Sequence, residues 1–182
     1  HQPEPRGTLL VGVGNTLAGD DGVGARVAER LARDPRLPDG VEVVQAGTDL
    51  LRVQQLLRGR TRLVIVDALL DDGPPGRLLA VHSAEGFDDR AGSAHHLSPA
   101  HAIRLLQAAQ PGLRELPVTF LCVTVRDSRL APGLSPELAR RLDALVDEAV
   151  SALHTLDRPE PSDRTAPRDA EEGGALQHLP RP

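Results

Sequence analysis

Apolar positions along the chain fall into two alternating textures: short β-branched runs without polar interruption, and longer stretches with apolar residues four apart. Thr8-Leu-Leu-Val-Gly-Val13 reads as a buried first strand followed by a Gly-rich loop. A helix is predicted from about Gly22 to Arg33, with Val23, Val27 and Leu31 on one face. Val41–Gln45 is a second strand, and Thr48 is positioned to cap a short helix in which Leu50, Val53 and Leu57 share a face. Leu63-Val-Ile-Val-Asp67 is a third strand, its unbroken apolar run suited to the middle of a covered sheet. The turn Gly73-Pro-Pro-Gly76 leads to a fourth strand, Leu78–His82, and Pro117–Val125 is a fifth. Ser98-Pro99 and Ser135-Pro136 each read as an N-cap with Pro at the first helical position. The second of these helices carries Leu138, Leu142, Leu145, Ala149 and Leu153 on its buried stripe.

This order predicts a three-layer α/β/α sandwich with a mainly parallel, twisted sheet of about five strands. A single domain is expected over residues 7–156. Residues 157–182, rich in Pro and charge, read as a disordered C-terminal tail. Ser83–Leu97 is polar and carries no assignable pattern.

Composition narrows the chemistry. Only two of 182 residues are aromatic, so the core must be Leu, Val, Ile and Ala, and base-stacking platforms are disfavoured. A net charge of −5 argues against nucleic acid or an anionic membrane as partner. All 21 basic residues are Arg, which removes Schiff-base, P-loop and Ser-Lys chemistry. The single Cys122 sits in an apolar strand and reads as a small core residue. No apolar run approaches the roughly 20 residues of a membrane span, and no signal peptide is visible. The sequence opens at His1 rather than Met, which leaves room for residues upstream. A soluble cytoplasmic enzyme, acting as a monomer, is expected.

The densest chemical signal is Gly12-Val-Gly14-Asn15-Thr-Leu-Ala-Gly19-Asp20-Asp21-Gly22-Val-Gly24. It is not a dinucleotide fingerprint: the third glycine position falls on Leu17, and two carboxylates stand where a phosphate would meet the helix. Such a loop suits a cation, although an Asp here can equally cap the helix or hold the loop. Asp20 fits the capping or loop-holding role; Asp21 is open to either. Asp67 closes the third strand on the rim where α/β sheets collect ligands, or is simply a strand end reaching solvent. His95 and His96 lie in a loop preceding a helix, from which a side chain can ligate or stay in solvent. There is no H-E-x-x-H and no G-x-S-x-G.

The Gly12–Gly24 loop resembles the G-x-G-N-x-L-x-x-D-[DE]-x-x-G signature of the nickel-iron hydrogenase maturation endopeptidases. Asp67 followed by Ala68, His95 in Ser93-Ala-His95, and Leu134-Ser-Pro-Glu137 match further features of that family in order, spanning about Leu9 to Leu153. The resemblance implies a five-stranded sheet between helices. It also implies an endopeptidase that removes the C-terminal extension of the hydrogenase large-subunit precursor after nickel insertion. The family's metal-binding residues carry over to Asp21, Asp67 and His95, with nickel borne by the substrate rather than held permanently. Two carboxylates and an imidazole form a plausible site for a borderline metal.

Two segments depart from the family pattern. Gln45-Ala-Gly-Thr48 replaces a segment that usually opens with an acid and is linked to substrate choice. Val125-Arg-Asp-Ser128 replaces a Q-P-E-like segment. Gln45 leaves a second reading open, a nickel-dependent assembly checkpoint that binds the precursor without cutting it. A flavodoxin-like small-molecule module is a third, disfavoured by the acidic loop.

Overall fold

The computed structural model describes residues 6–82, 98–126 and 131–158. Five strands form one sheet: β1 (Thr8–Val13), β2 (Val41–Gly47), β3 (Arg62–Leu70), β4 (Leu78–Val81) and β5 (Val118–Val125). Their order is β2-β1-β3-β5-β4, with β1, β2, β3 and β5 mutually parallel and β4 antiparallel at the edge. Among the described residues, three α-helices accompany them: α1 (Val23–Leu31), α2 (Pro99–Ala109) and α3 (Pro136–Asp157).

The alternating faces of the strands explain the layering. Leu10, Val64, Val66, Leu121 and Val123 point to one side, where they pack on Val27 and Leu31 of α1 and Leu145 and Ala149 of α3. Leu9, Val11, Leu63, Ile65 and Phe120 point to the other side, against Val53 and Leu57 of a 3-10 helix and Ile103 and Leu106 of α2. Both faces are covered, so β1, β5 and the first part of β3 are apolar at almost every position. The expected α/β sandwich is the one observed.

The local signals hold with some adjustment. Ser98 Oγ accepts the His101 N–H and Ser135 Oγ accepts the Leu138 N–H, each with Pro at the first helical turn. The short segment Leu50–Leu57 is 3-10 rather than α, and its cap is Asp49, which accepts the Leu51 N–H at 2.9 Å, not Thr48. A carboxylate one residue closer to the turn displaces the hydroxyl from that role. The helix expected from Gly22 begins as a 3-10 turn over Gly19–Gly22 and becomes α at Val23. The boundary expected at residue 157 is corrected: Asp157 is the last residue of α3 and Arg158 its C-cap, while the rest of the expected tail, residues 159–182, lies outside the described residues. Among the described residues, no helix is long and apolar enough to cross a membrane.

The topology sets the site. The chain leaves β1 through α1 to β2 on one side of the sheet, whereas from β3 it proceeds to β5 on the other. The boundary between β1 and β3 is therefore the switch point, the place on the carboxyl rim where open α/β sheets bind ligands.

Candidate active site

Two elements converge on this switch point, the loop after β1 and the middle of β3. The β1–β3 ladder ends at Gly12 and Val66, while the β3–β5 ladder continues to Leu70 and Val125. Asp67 is thus the first residue of β3 beyond β1. The expectation that it ends the strand is corrected: β3 runs three residues further, where among the described residues it pairs with β5 alone. The apolar run Ala68-Leu-Leu70 is the sequence signal for that extension.

The loop glycines serve packing. A Cβ on Gly24 would lie 2.5 Å from the Val66 carbonyl oxygen and 2.7 Å from both Asp67 Cα and the Val13 carbonyl oxygen. Only glycine lets the start of α1 seat against the ends of β1 and β3. Gly14 has φ +139°, and a Cβ there would collide with the Asp21 carbonyl. Its N–H donates to the Gly47 carbonyl at 2.8 Å, so the chain leaving β1 follows β2 and turns away from β3.

The two loop acids have separate roles. Asp20 accepts the Ser135 backbone N–H at 2.7 Å. Ser135 is the N-cap of α3, and its third helical residue is Leu138 instead of the Glu or Gln that would reach back to this N–H. Asp20 supplies that acceptor from a distant part of the chain, tying the loop to α3. It does not cap its own helix, which has no side-chain cap. Asp21 accepts the Asn15 N–H at 3.2 Å, while Asn15 Oδ1 accepts the Leu17 N–H at 3.0 Å. This folds the loop tightly and leaves Leu17 72% exposed.

Asp67 faces the layer that contains α2, because its neighbours of the same parity, Ile65 and Leu63, pack there. One of its oxygens accepts the Ala68 N–H at 2.8 Å. Desolvation pushes its carboxyl up to about 7; the Ala68 hydrogen bond opposes this, and the nearby Asp21 charge adds to it. Opposite Asp67 in the ladder is Cys122, whose thiol is pushed up to about 12 by burial and by the Asp67 charge. It is a core residue, as its strand pattern implies.

Other sequence candidates fall as follows. His95 and His96 lie outside the described residues, as does the Asp127-Ser128 part of the second departing segment. Among the described residues, no group of three His, Cys, Asp or Glu side chains could hold a metal ion. Gln45 donates through Nε2 to the Ala25 carbonyl at 2.8 Å, fastening β2 to α1. A carboxylate in its place has no N–H to make that bond, so the departure has a structural use here. A groove of about 440 Å³ adjoins the loop, lined in part by Asp20, Pro75, Arg126, Leu134 and Glu137.

A desolvated carboxyl next to a second carboxylate on an open rim can bind a cation or exchange a proton near neutral pH. Comparisons with known proteins agree on a chemistry. Residues 25–152 match the family model described as HycI, hydrogenase maturation protease. The hydrogenase 2 maturation protease of Escherichia coli K12 is 28% identical over 151 residues, covering 80% of this chain and 89% of that protein. Protein FrxA of Pyrococcus furiosus is 27% identical over 138 residues, covering 74% and 96% respectively. Among solved structures, the [NiFe] hydrogenase maturation protease HybD from Thermococcus kodakarensis superposes with TM-score 0.66 at 28% identity, covering 83% of this chain and 99% of that one.

Proposed function

The chain belongs to the hydrogenase maturation protease family, a family of peptidases, and from that premise we propose that it removes the C-terminal extension of a nickel-iron hydrogenase large-subunit precursor. The proposed site is Asp21, Asp67 and His95, which engage the nickel carried by the substrate and set the scissile bond beside it. The observation that carries this reading is the placement of Asp21, in the loop after β1, and Asp67, the first residue of β3 beyond β1, at the same switch point.

The donor chemistry fits. Two carboxylates and an imidazole suit a borderline divalent ion, and the charge of such an ion offsets the repulsion between the two acids. Support for His95 as third donor comes from the placement of α2. This helix leads through Pro111–Pro117 to the start of β5, so it runs from the carboxyl rim toward the opposite rim. Its cap, Ser98, comes three residues after His95, and α2 covers the face to which Asp67 belongs.

In the proposed reaction Asn15 holds Asp21 in place through its N–H, and Asp20 anchors the loop to α3. A carboxylate of the site accepts a proton as the peptide bond is hydrolysed. The proposed setting is the cytoplasm, with a monomer as the acting unit and metal-dependent recognition by acidic residues.

The test is incubation of the purified protein with nickel-loaded and nickel-free precursor, read by intact mass. Loss of the C-terminal extension from the loaded form alone is expected. Tight binding of the loaded precursor without any mass loss would replace the endopeptidase reading with the checkpoint one.

A further inference from the structure

Among the described residues, no strand pairs with the end of β3 on its β1 side. Leu63 N–H donates to Pro117 C=O at 2.9 Å and Asp71 N–H donates to Val125 C=O at 3.0 Å. Odd-numbered residues of β3 therefore direct both backbone groups toward β5, and the even-numbered ones direct theirs toward β1. Up to Val66 that side is filled by β1. Beyond it, Ala68 and Leu70 direct their backbone groups into the space β1 has left by following β2. The Ala68 N–H is taken by the Asp67 carboxylate. Among the described residues, the Ala68 C=O and the Leu70 N–H and C=O have no hydrogen-bond partner. Exposure follows the same break: Leu63–Val66 are buried, Asp67–Leu69 partly open, and Leu70 is 51% exposed.

We propose that the substrate polypeptide docks here as an added strand, pairing with Ala68 and Leu70 of β3 in the place β1 vacates; this rests on the peptidase reading above. An exposed strand edge is a template for an extended chain, with main-chain hydrogen bonds giving affinity and side chains giving selectivity. The occupant is set by location. The edge begins at Asp67, so a chain laid along it passes directly beside that carboxylate. A peptidase needs its scissile bond in an extended, accessible segment, and an added strand supplies that geometry. The overhang, at roughly 3.3 Å per residue, accommodates three or four residues of substrate. Leu70 on β3 and Leu17 in the loop after β1 are two of the large apolar side chains left exposed, and both belong to this rim. They offer apolar contacts to the side chains flanking the cut. A carbonyl of the incoming strand also competes for the Ala68 N–H, releasing the Asp67 oxygen as the substrate arrives.

The test separates backbone pairing from side-chain contact. Leu70→Pro loses the leucine side chain and, of the backbone donors of β3, only the N–H on the side away from β5, leaving the β5-facing bonds in place. Leu70→Ala keeps that N–H and loses the side chain. Binding of nickel-loaded large-subunit precursor should be at least tenfold weaker for Leu70→Pro than for Leu70→Ala. Equal binding by the two folded variants overturns the proposal. A second measurement uses the wild-type protein and is independent of how Leu70→Pro folds. Hydrogen exchange of the Leu70 amide, followed by NMR, should slow at least tenfold when the precursor is added. No slowing overturns the proposal, whether or not the precursor is cut. Slowing without cleavage keeps the docking edge and removes the peptidase reading, so the two failures are distinct.

Discussion

Asp67→Asn is expected to make this protein more stable, and increasingly so as pH rises. The carboxyl is lifted from an ordinary value of 3.8 to about 7, mainly because folding desolvates it. Between those values the folded state holds a proton that the unfolded state has released. Stability contributed by this group is therefore highest in acid, falls as pH rises through this window, and levels off above pH 7. A displacement of about three pH units at about 1.4 kcal/mol each puts the penalty near 4 kcal/mol at pH 8, and between 1 and 2 kcal/mol at about pH 5. Asn has the shape of Asp, retains an oxygen to accept the Ala68 N–H, and carries no charge at either pH. The stability difference between Asp67→Asn and wild type should thus grow by about 2–3 kcal/mol from pH 5 to pH 8. Urea unfolding of both proteins at the two pH values measures this directly, and constant effects of the substitution cancel in the comparison. A difference that stays constant, or shrinks toward pH 8, refutes the desolvation argument.

Three further outcomes are expected. Asp20→Ala should lower stability by about 1–3 kcal/mol, because the Ser135 N–H loses a charged acceptor; Asp20→Asn, which keeps an acceptor, should lose less in the same urea titration. Gly24→Ala should destabilise by about 1–3 kcal/mol through overpacking against Val66 and Asp67, and should slow precursor processing by moving the start of α1 off the strand ends. Cys122 should resist a thiol reagent at pH 8 in the folded protein and react promptly in denaturant, since burial holds its thiol at about 12.

The fold was legible where the physics is local. Unbroken apolar runs marked β1 and the core of β3 and β5, and the Ser-Pro caps marked the starts of α2 and α3. The α/β sandwich followed from their alternation. What escaped was set by contacts distant in sequence. Asp20 reaches Ser135 across 115 residues, and a single carboxylate in a Gly-rich loop gives no hint of that partner. The extension of β3 beyond Asp67 was present in Ala68-Leu-Leu70, but a charge in an apolar run looks like a strand end when the neighbouring strand is unknown. The glycine pattern was visible in the sequence, whereas its purpose, close approach of α1 to Val66 and Asp67, depends on strand order. Asp21 and Asp67 were legible as candidates from their loop and rim positions. That they stand at one switch point depends on the parallel pairing of β1 with β3.

The most direct test of the account is the intact mass of nickel-loaded precursor after incubation with wild type, Asp67→Asn, Asp21→Asn, His95→Ala and His96→Ala. The account predicts C-terminal shortening by wild type and by His96→Ala. It predicts none by the other three, even though Asp67→Asn is the more stable protein at pH 8. Shortening at the wild-type rate by Asp67→Asn, or loss confined to His96→Ala, would contradict it.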